Sequence, residues 1–164
     1  MMGRISLIIF IICISFTIVF GSTDGISSPI DSGKSCASVS KDGLLLQLIS
    51  DRSRYNYGDE VKLRFKVVNV SGTVMKLYFP TGIRYSFEIY KGDKKVWESE
   101  NGGYYLPGFS VYNMACGETL SCETCWNQMV SSRENCEPGE YVAKAYIMTS
   151  PIIATLTVGF VIEE

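Results

Sequence analysis

Val61-Lys62-Leu63-Arg64-Phe65-Lys66-Val67 alternates apolar and basic residues with period two. That is the pattern of a half-buried β-strand with one solvated face. The same rhythm returns near the end of the chain, where Ala154, Leu156, Val158, Phe160 and Ile162 share one side against Thr155, Thr157 and Gly159. A helix would need apolar residues three and four apart, and beyond the N-terminal segment the sequence offers no such window. Further strands are predicted at residues 44–49, 74–79, 85–91, 94–98, 109–114, 118–126 and 140–148. Turn chemistry separates them: Tyr57-Gly58-Asp59, Ser71-Gly72, Thr81-Gly82, Gly92-Asp93, Cys116-Gly117 and Pro138-Gly139. About eight short strands at this spacing predict an all-β fold, an antiparallel β-sandwich over residues 43–164. Tyr141, just after a tight turn, is placed where a sandwich uses a tyrosine to pin a corner. Burial of some ~25–30 inward side chains, at ~1.5–3 kcal/mol each, offsets chain entropy without a required metal or disulfide.

The N-terminus has a different character. Arg4 follows two methionines and a glycine, and residues 5–20 form an apolar run of 16 residues. This is long for a signal-peptide core and short for a spanning helix. Residues 1–21 therefore read as an export signal cleaved after Gly21, or as an uncleaved membrane anchor. Either way the remainder is expected outside the cytoplasm, secreted or held at the cell surface. Residues 22–42, rich in Ser, Gly and Asp, read as a flexible spacer.

Composition closes several routes to function. There is no histidine in the 164 residues, which excludes Ser-His-Asp and Cys-His catalysis and every His-based zinc motif. A net charge of −2 supplies no electrostatic footprint for nucleic acid or anionic membranes. No glycine-rich phosphate loop follows a strand and the carboxylates form no obvious pair, so neither enzyme, cofactor nor small-molecule substrate is indicated.

Cysteines demand separate treatment. Beyond Cys13 in the apolar run there are Cys36, Cys116, Cys122, Cys125 and Cys136, and Cys122-Glu123-Thr124-Cys125 superficially suits a thiolate metal site or a redox pair. In an extended strand, residues three apart point to opposite faces, so Cys122 and Cys125 do not chelate one ion together. No helix follows to lower a thiol pKa. The simpler expectation puts Cys122 and Trp126 in the core. Cys125 then pairs with Cys136 as a disulfide closing the intervening loop, worth ~2–3 kcal/mol; Cys36 with Cys116 is a second, weaker pairing, and five cysteines leave one unpaired.

Several pieces of the chain, taken in order, resemble a known family. They are Tyr55, Gly58 and Val61; Asn69 and Gly72; Phe79, Pro80, Gly82, Tyr85 and Phe87; Val96-Trp97; Gly117-Glu118-Thr119; Trp126; and Pro138-Gly139 with Tyr141. Together they are similar to the BsuPI family, the intracellular proteinase inhibitors of bacilli, over almost all of residues 44–162. The resemblance implies an immunoglobulin-like β-sandwich and inhibition of subtilisin-like serine proteases. The chain departs from the pattern in its export-type N-terminus and in Cys116, where the family has proline. A target protease would then be extracellular.

An inhibitor must present a rigid loop to an active-site cleft, because entropy not lost on binding becomes affinity. The segment 100–112, with glycines, a proline and four aromatics, has the composition of an interface anchor. Tyr104, Tyr105, Leu106, Pro107 and Phe109 are the expected contact residues, the alternative being that the aromatics fold back as core. The loop 127–135 is a second candidate. Asn69-Val70-Ser71 is a glycosylation sequon, though Asn69 could equally serve its turn. A domain of this fold could also dock another cell-envelope protein without inhibiting anything.

Overall fold

The computed structural model describes residues 29–30, 33–99, 108–131 and 134–164, and within them every regular element is a strand. In chain order these are β1 (Pro29–Ile30), β2 (Lys34–Lys41), β3 (Leu44–Ser50), β4 (Arg54–Asn56), β5 (Val61–Asn69), β6 (Met75–Phe79) and β7 (Tyr85–Lys91). They continue as β8 (Lys94–Glu98), β9 (Ser110–Met114), β10 (Thr119–Trp126), β11 (Met129–Ser131), β12 (Glu134–Asn135), β13 (Gly139–Ile147) and β14 (Thr155–Glu163). The export-type segment of residues 1–21 lies outside the described residues.

Two five-stranded sheets carry the fold, one ordered β1-β2-β3-β5-β10 and the other β4-β14-β13-β7-β8. Every neighbouring pair within them is antiparallel except β4 with β14, which run parallel. Their inner faces meet in one core. Leu46, Leu48, Leu63, Phe65 and Val67 from the first sheet face Phe87, Ile89, Ala143, Ala145, Val158 and Phe160 from the second. Phe65 sets its ring edge-on against both Tyr85 and Phe87 across the gap. At the opposite end Trp126 packs on Tyr141 and Phe160, with ring centroids 5.5 and 6.4 Å away. The period-two pattern thus does what it predicts: along β5 the residues Val61, Leu63, Phe65 and Val67 are buried while Lys62 and Arg64 are exposed. Arg64 reaches across to Glu123 on β10, its direct neighbour in register.

Tyr141 pins its corner as expected. Its hydroxyl donates to the Glu137 carbonyl, and its ring lies almost parallel to Phe160 at 5.8 Å. Tyr55 does similar work from the short β4. Its hydroxyl bonds Ser50 Oγ at 2.7 Å, accepts the Arg52 N–H and donates to the Asp51 carboxylate. Burial pushes the phenol pKa of both tyrosines up, so both remain neutral donors.

Two expectations change. The described residues hold more than about eight strands, because short pieces add to the long ones: β4 joins the second sheet beside β14, and β11 and β12 pair with each other separately. In addition, residues 34–41, read as part of the flexible spacer, form β2 and pair along their whole length with β3, from Ser35–Ser50 to Lys41–Leu44. The turn between them is Asp42-Gly43, with φ of 51° and 78°. Two residues at positive φ make the hairpin turn whose twist matches its strands. A β-carbon on Gly43 would also sit 2.7 Å from Ser71 Cβ. Gly43→Ala therefore combines a left-handed backbone penalty with a steric clash, and about 2–3 kcal/mol of stability should be lost. Urea unfolding checks this. A midpoint equal to that of the parent protein would show that β2 is not held by this turn.

Candidate functional site

The strands β5 and β10 pair along one edge of the first sheet, and their chains continue past its corner as β6 and β9, which pair with each other as a separate two-stranded ribbon. Asn69 makes that corner. It is 1% exposed, and its amide nitrogen lies 2.7 Å from the Thr73 carbonyl oxygen and 3.0 Å from those of Met114 and Ala115. Its side-chain oxygen accepts the backbone N–H and the hydroxyl of Ser71. Of the two readings of Asn69, the structure agrees with the one in which it serves its turn. In the folded domain Asn69 is a buried clamp with its amide engaged, so it is not an exposed glycosylation acceptor.

The disulfide expectation is corrected as well. All five described cysteines carry free thiols. Cys125 is exposed on the outer side of β10, opposite Lys62, whereas Cys136 is buried with its Sγ 3.8 Å from Gln128 Oε1. The reason lies in the turn after β10. Gln128 adopts a φ of 63°, and the Cys136 N–H bonds the Gln128 carbonyl, so Cys136 stands opposite Gln128 and not opposite Cys125. Cys122 faces inward and is half-buried. Burial raises the pKa of both Cys122 and Cys136, which keeps them as protonated thiols.

Of the expected contact residues, Tyr104, Tyr105, Leu106 and Pro107 lie outside the described residues. Phe109, just ahead of β9, is 66% exposed and so does not fold back into the core. It stacks at 5.9 Å, tilted 32°, on Tyr78 of β6, a residue that the sequence reading did not single out. Tyr78 pairs directly with Val111 of β9, and both are exposed. The second candidate loop, 127–135, is bolted at its base. Gln128 accepts the Gly58 N–H at 2.8 Å and donates to the Asn56 carbonyl at 2.9 Å, while the Trp126 indole N–H donates to the Met129 carbonyl. An open groove beside it, walled by Trp97, Met129 and Val130, carries Glu60, Lys95 and Glu98. Lys95 is bound to Glu98 and Glu88, so its charge is already matched. No group of three potential ligands that could hold a metal occurs among the described residues.

The intracellular proteinase inhibitor family BsuPI matches residues 48–152, well over half of the chain. The chain belongs to the BsuPI family. No curated protein matches its sequence. Among solved structures, it is similar to a β-glucosidase from Erythrobacter marinus, with a TM-score of 0.44 and 12% identity over 71% of this chain, and it spans only 15% of that enzyme. It is also similar to the CARDB domain of a Pyrococcus furiosus protein, with a TM-score of 0.43 and 9% identity over 73% of this chain and 94% of that domain. Both likenesses are too distant to add to what the strands themselves show.

The residues that carry the BsuPI pattern are mostly structural. Tyr55, Val61, Phe79, Phe87, Val96, Trp126 and Tyr141 are buried in the core, Asn69 clamps the corner, and the Gly58 N–H anchors Gln128. Glu118 holds the turn between β9 and β10. One carboxylate oxygen accepts the Ala115 N–H at 2.7 Å and the other accepts the Tyr112 hydroxyl. The Arg84 guanidinium lies 4.9 Å above the Tyr112 ring. Those two hydrogen bonds, the one from Tyr112 first, hold the Glu118 carboxyl below the usual carboxylate range.

A depressed carboxylate stabilises the fold above its unfolded pKa of about 4.3, and this contribution is lost as pH falls through the lower folded value. Glu118→Gln should therefore lower the thermal midpoint at pH 7 and narrow its gap to the parent protein as pH drops towards about 3. A gap that stays constant from pH 7 to pH 3 would contradict this role for the charge.

Proposed function

We propose that this chain is an exported proteinase inhibitor that engages an extracellular subtilisin-like serine protease through the segment 100–112. The observation that carries the reading is membership of the proteinase inhibitor family over residues 48–152. The geometry supports a particular face. Most of the family-pattern residues are committed to the core and its corners, which favours contact from elsewhere. At the end of the 100–112 segment Phe109 presents two-thirds of its surface to solvent, on a ribbon held rigid by Asn69 and Glu118. Rigidity of that kind spares loop entropy on binding. Tyr104, Tyr105 and Leu106 are assigned to the protease's specificity pocket, with Pro107 and Phe109 at its rim. Export rests on the apolar run of residues 5–20 and places the domain at the cell surface or beyond.

The absence of histidine from the sequence and the family membership together favour binding over catalysis. The test is an active-site titration of the purified protein against a panel of subtilisin-like proteases with one chymotrypsin-like control. Residual activity of at least one subtilisin-like enzyme should fall linearly to an equivalence point at equimolar inhibitor. Full activity of every panel member at a large molar excess would overturn the reading, leaving a sandwich that docks an envelope partner.

A further inference from the structure

The β6–β9 ribbon has one face that the fold does not use. Its inner residues Leu77, Phe79 and Met114 are buried, and Tyr112 is tied to Glu118 and Arg84. On the other face Tyr78 and Val111 stand directly opposite each other and are 42% and 47% exposed, while Phe109, just ahead of β9, packs against the Tyr78 ring. Single exposed apolar residues are ordinary, but Tyr78 with Phe109 against its ring and Val111 across from it on so short a ribbon form a patch. Among the described residues of β6 and β9 the one charged side chain is Lys76, opposite Asn113 at the far end. Beside the patch, the Ser150 N–H donates to the Tyr78 carbonyl at 2.9 Å, which fixes β6 to the loop carrying the exposed Ile152.

We infer that the contact surface extends from the 100–112 segment onto β6, with Tyr78, Phe109 and Val111 forming a preassembled apolar platform for the uncharged rim of the protease's substrate cleft. The inference rests on the function proposed above and deepens it. Continuity fixes the occupant. Phe109 follows Pro107 by two residues, so a partner engaged by the segment meets the outer face of the ribbon that continues it. Chemistry fixes its character. A tilted ring pair with a cross-strand valine recognises apolar surface at little conformational cost, because the two rings already pack on each other. The platform carries no ion pair, so recognition there should respond weakly to salt.

The experiment measures inhibition constants for the parent protein, Tyr78→Ser, Val111→Thr and the control Tyr90→Ser. The enzyme is the subtilisin-like protease identified by titration, assayed at 0.1 M and 0.5 M salt with folding checked by circular dichroism. Tyr78→Ser should raise the constant by at least about 30-fold, the loss typical of a central aromatic anchor. Val111→Thr should raise it by less, Tyr90→Ser should leave it unchanged, and salt should shift the parent value by no more than about twofold. The valine variant keeps a strand-favouring side chain, so it decides the matter if Tyr78→Ser fails to fold. Parent-like inhibition by folded Tyr78→Ser and Val111→Thr would overturn the platform while leaving the inhibitor reading intact. A steep loss of parent affinity with salt would also overturn it. If the parent protein inhibits no protease, both inferences fall together.

Discussion

Everything that distinguishes this sandwich from a plain two-sheet barrel of side chains depends on one buried amide. Where β5 and β10 leave the first sheet, their backbones turn together, and a turned ribbon would strand carbonyl groups inside the corner. A buried carbonyl without a partner costs about 1–3 kcal/mol. Asn69 gathers the carbonyls of Thr73, Met114 and Ala115 on its amide nitrogen and the Ser71 N–H and hydroxyl on its oxygen. From the turn between β9 and β10, the Gly117 N–H bonds the Asn69 carbonyl, and the Asn69 N–H bonds the Glu118 carbonyl. Both strands are locked at the same point, and β6 and β9 emerge with a fixed direction.

That joint explains a division of labour. The aromatic residues of the family pattern are spent on the inter-sheet core, where Trp126, Tyr141 and Phe160 form one packed group and Tyr55 meets Phe160 edge-on at 5.5 Å. Their polar handles are also committed, the hydroxyl of Tyr141 to the Glu137 carbonyl and that of Tyr55 to Ser50 and Asp51. In the proposed reading, recognition falls to the outer face of the ribbon and the segment that leads into it.

The same division accounts for what could be read in the sequence. Strands such as β5, β13 and β14 were legible because large apolar side chains alternate with polar ones and the two faces see different solvents. β2 was not, since its inward residues Ser35 and Ala37 are small and Val39 is only half-buried, so its composition looks like linker. The missed signal was Asp42-Gly43, a two-residue hairpin turn directly before an apolar run. The Cys125–Cys136 bond was expected as a closure of the intervening loop; cysteine spacing carries no information about the positive φ at Gln128 or the bond from the Cys136 N–H to the Gln128 carbonyl, which set Cys136 opposite Gln128. Phe109 stood out by composition. Tyr78 did not, because it lies between Leu77 and Phe79, and only the register with Val111 and the ring stacking show it to be on the outer face beside Phe109.

The central claim is that a partner covers the outer face of the β6–β9 ribbon while the core and the remaining sheet surfaces stay free. Hydroxyl-radical footprinting of the protein, alone and in its stoichiometric complex with a subtilisin-like protease, tests this side chain by side chain. Tyr78 and Phe109 should lose most of their oxidation in the complex, whereas Tyr57 and Tyr90, exposed or half-exposed elsewhere, should keep theirs. Protection of Tyr57 or Tyr90 with Tyr78 and Phe109 still fully reactive would place the partner on another surface and contradict the account.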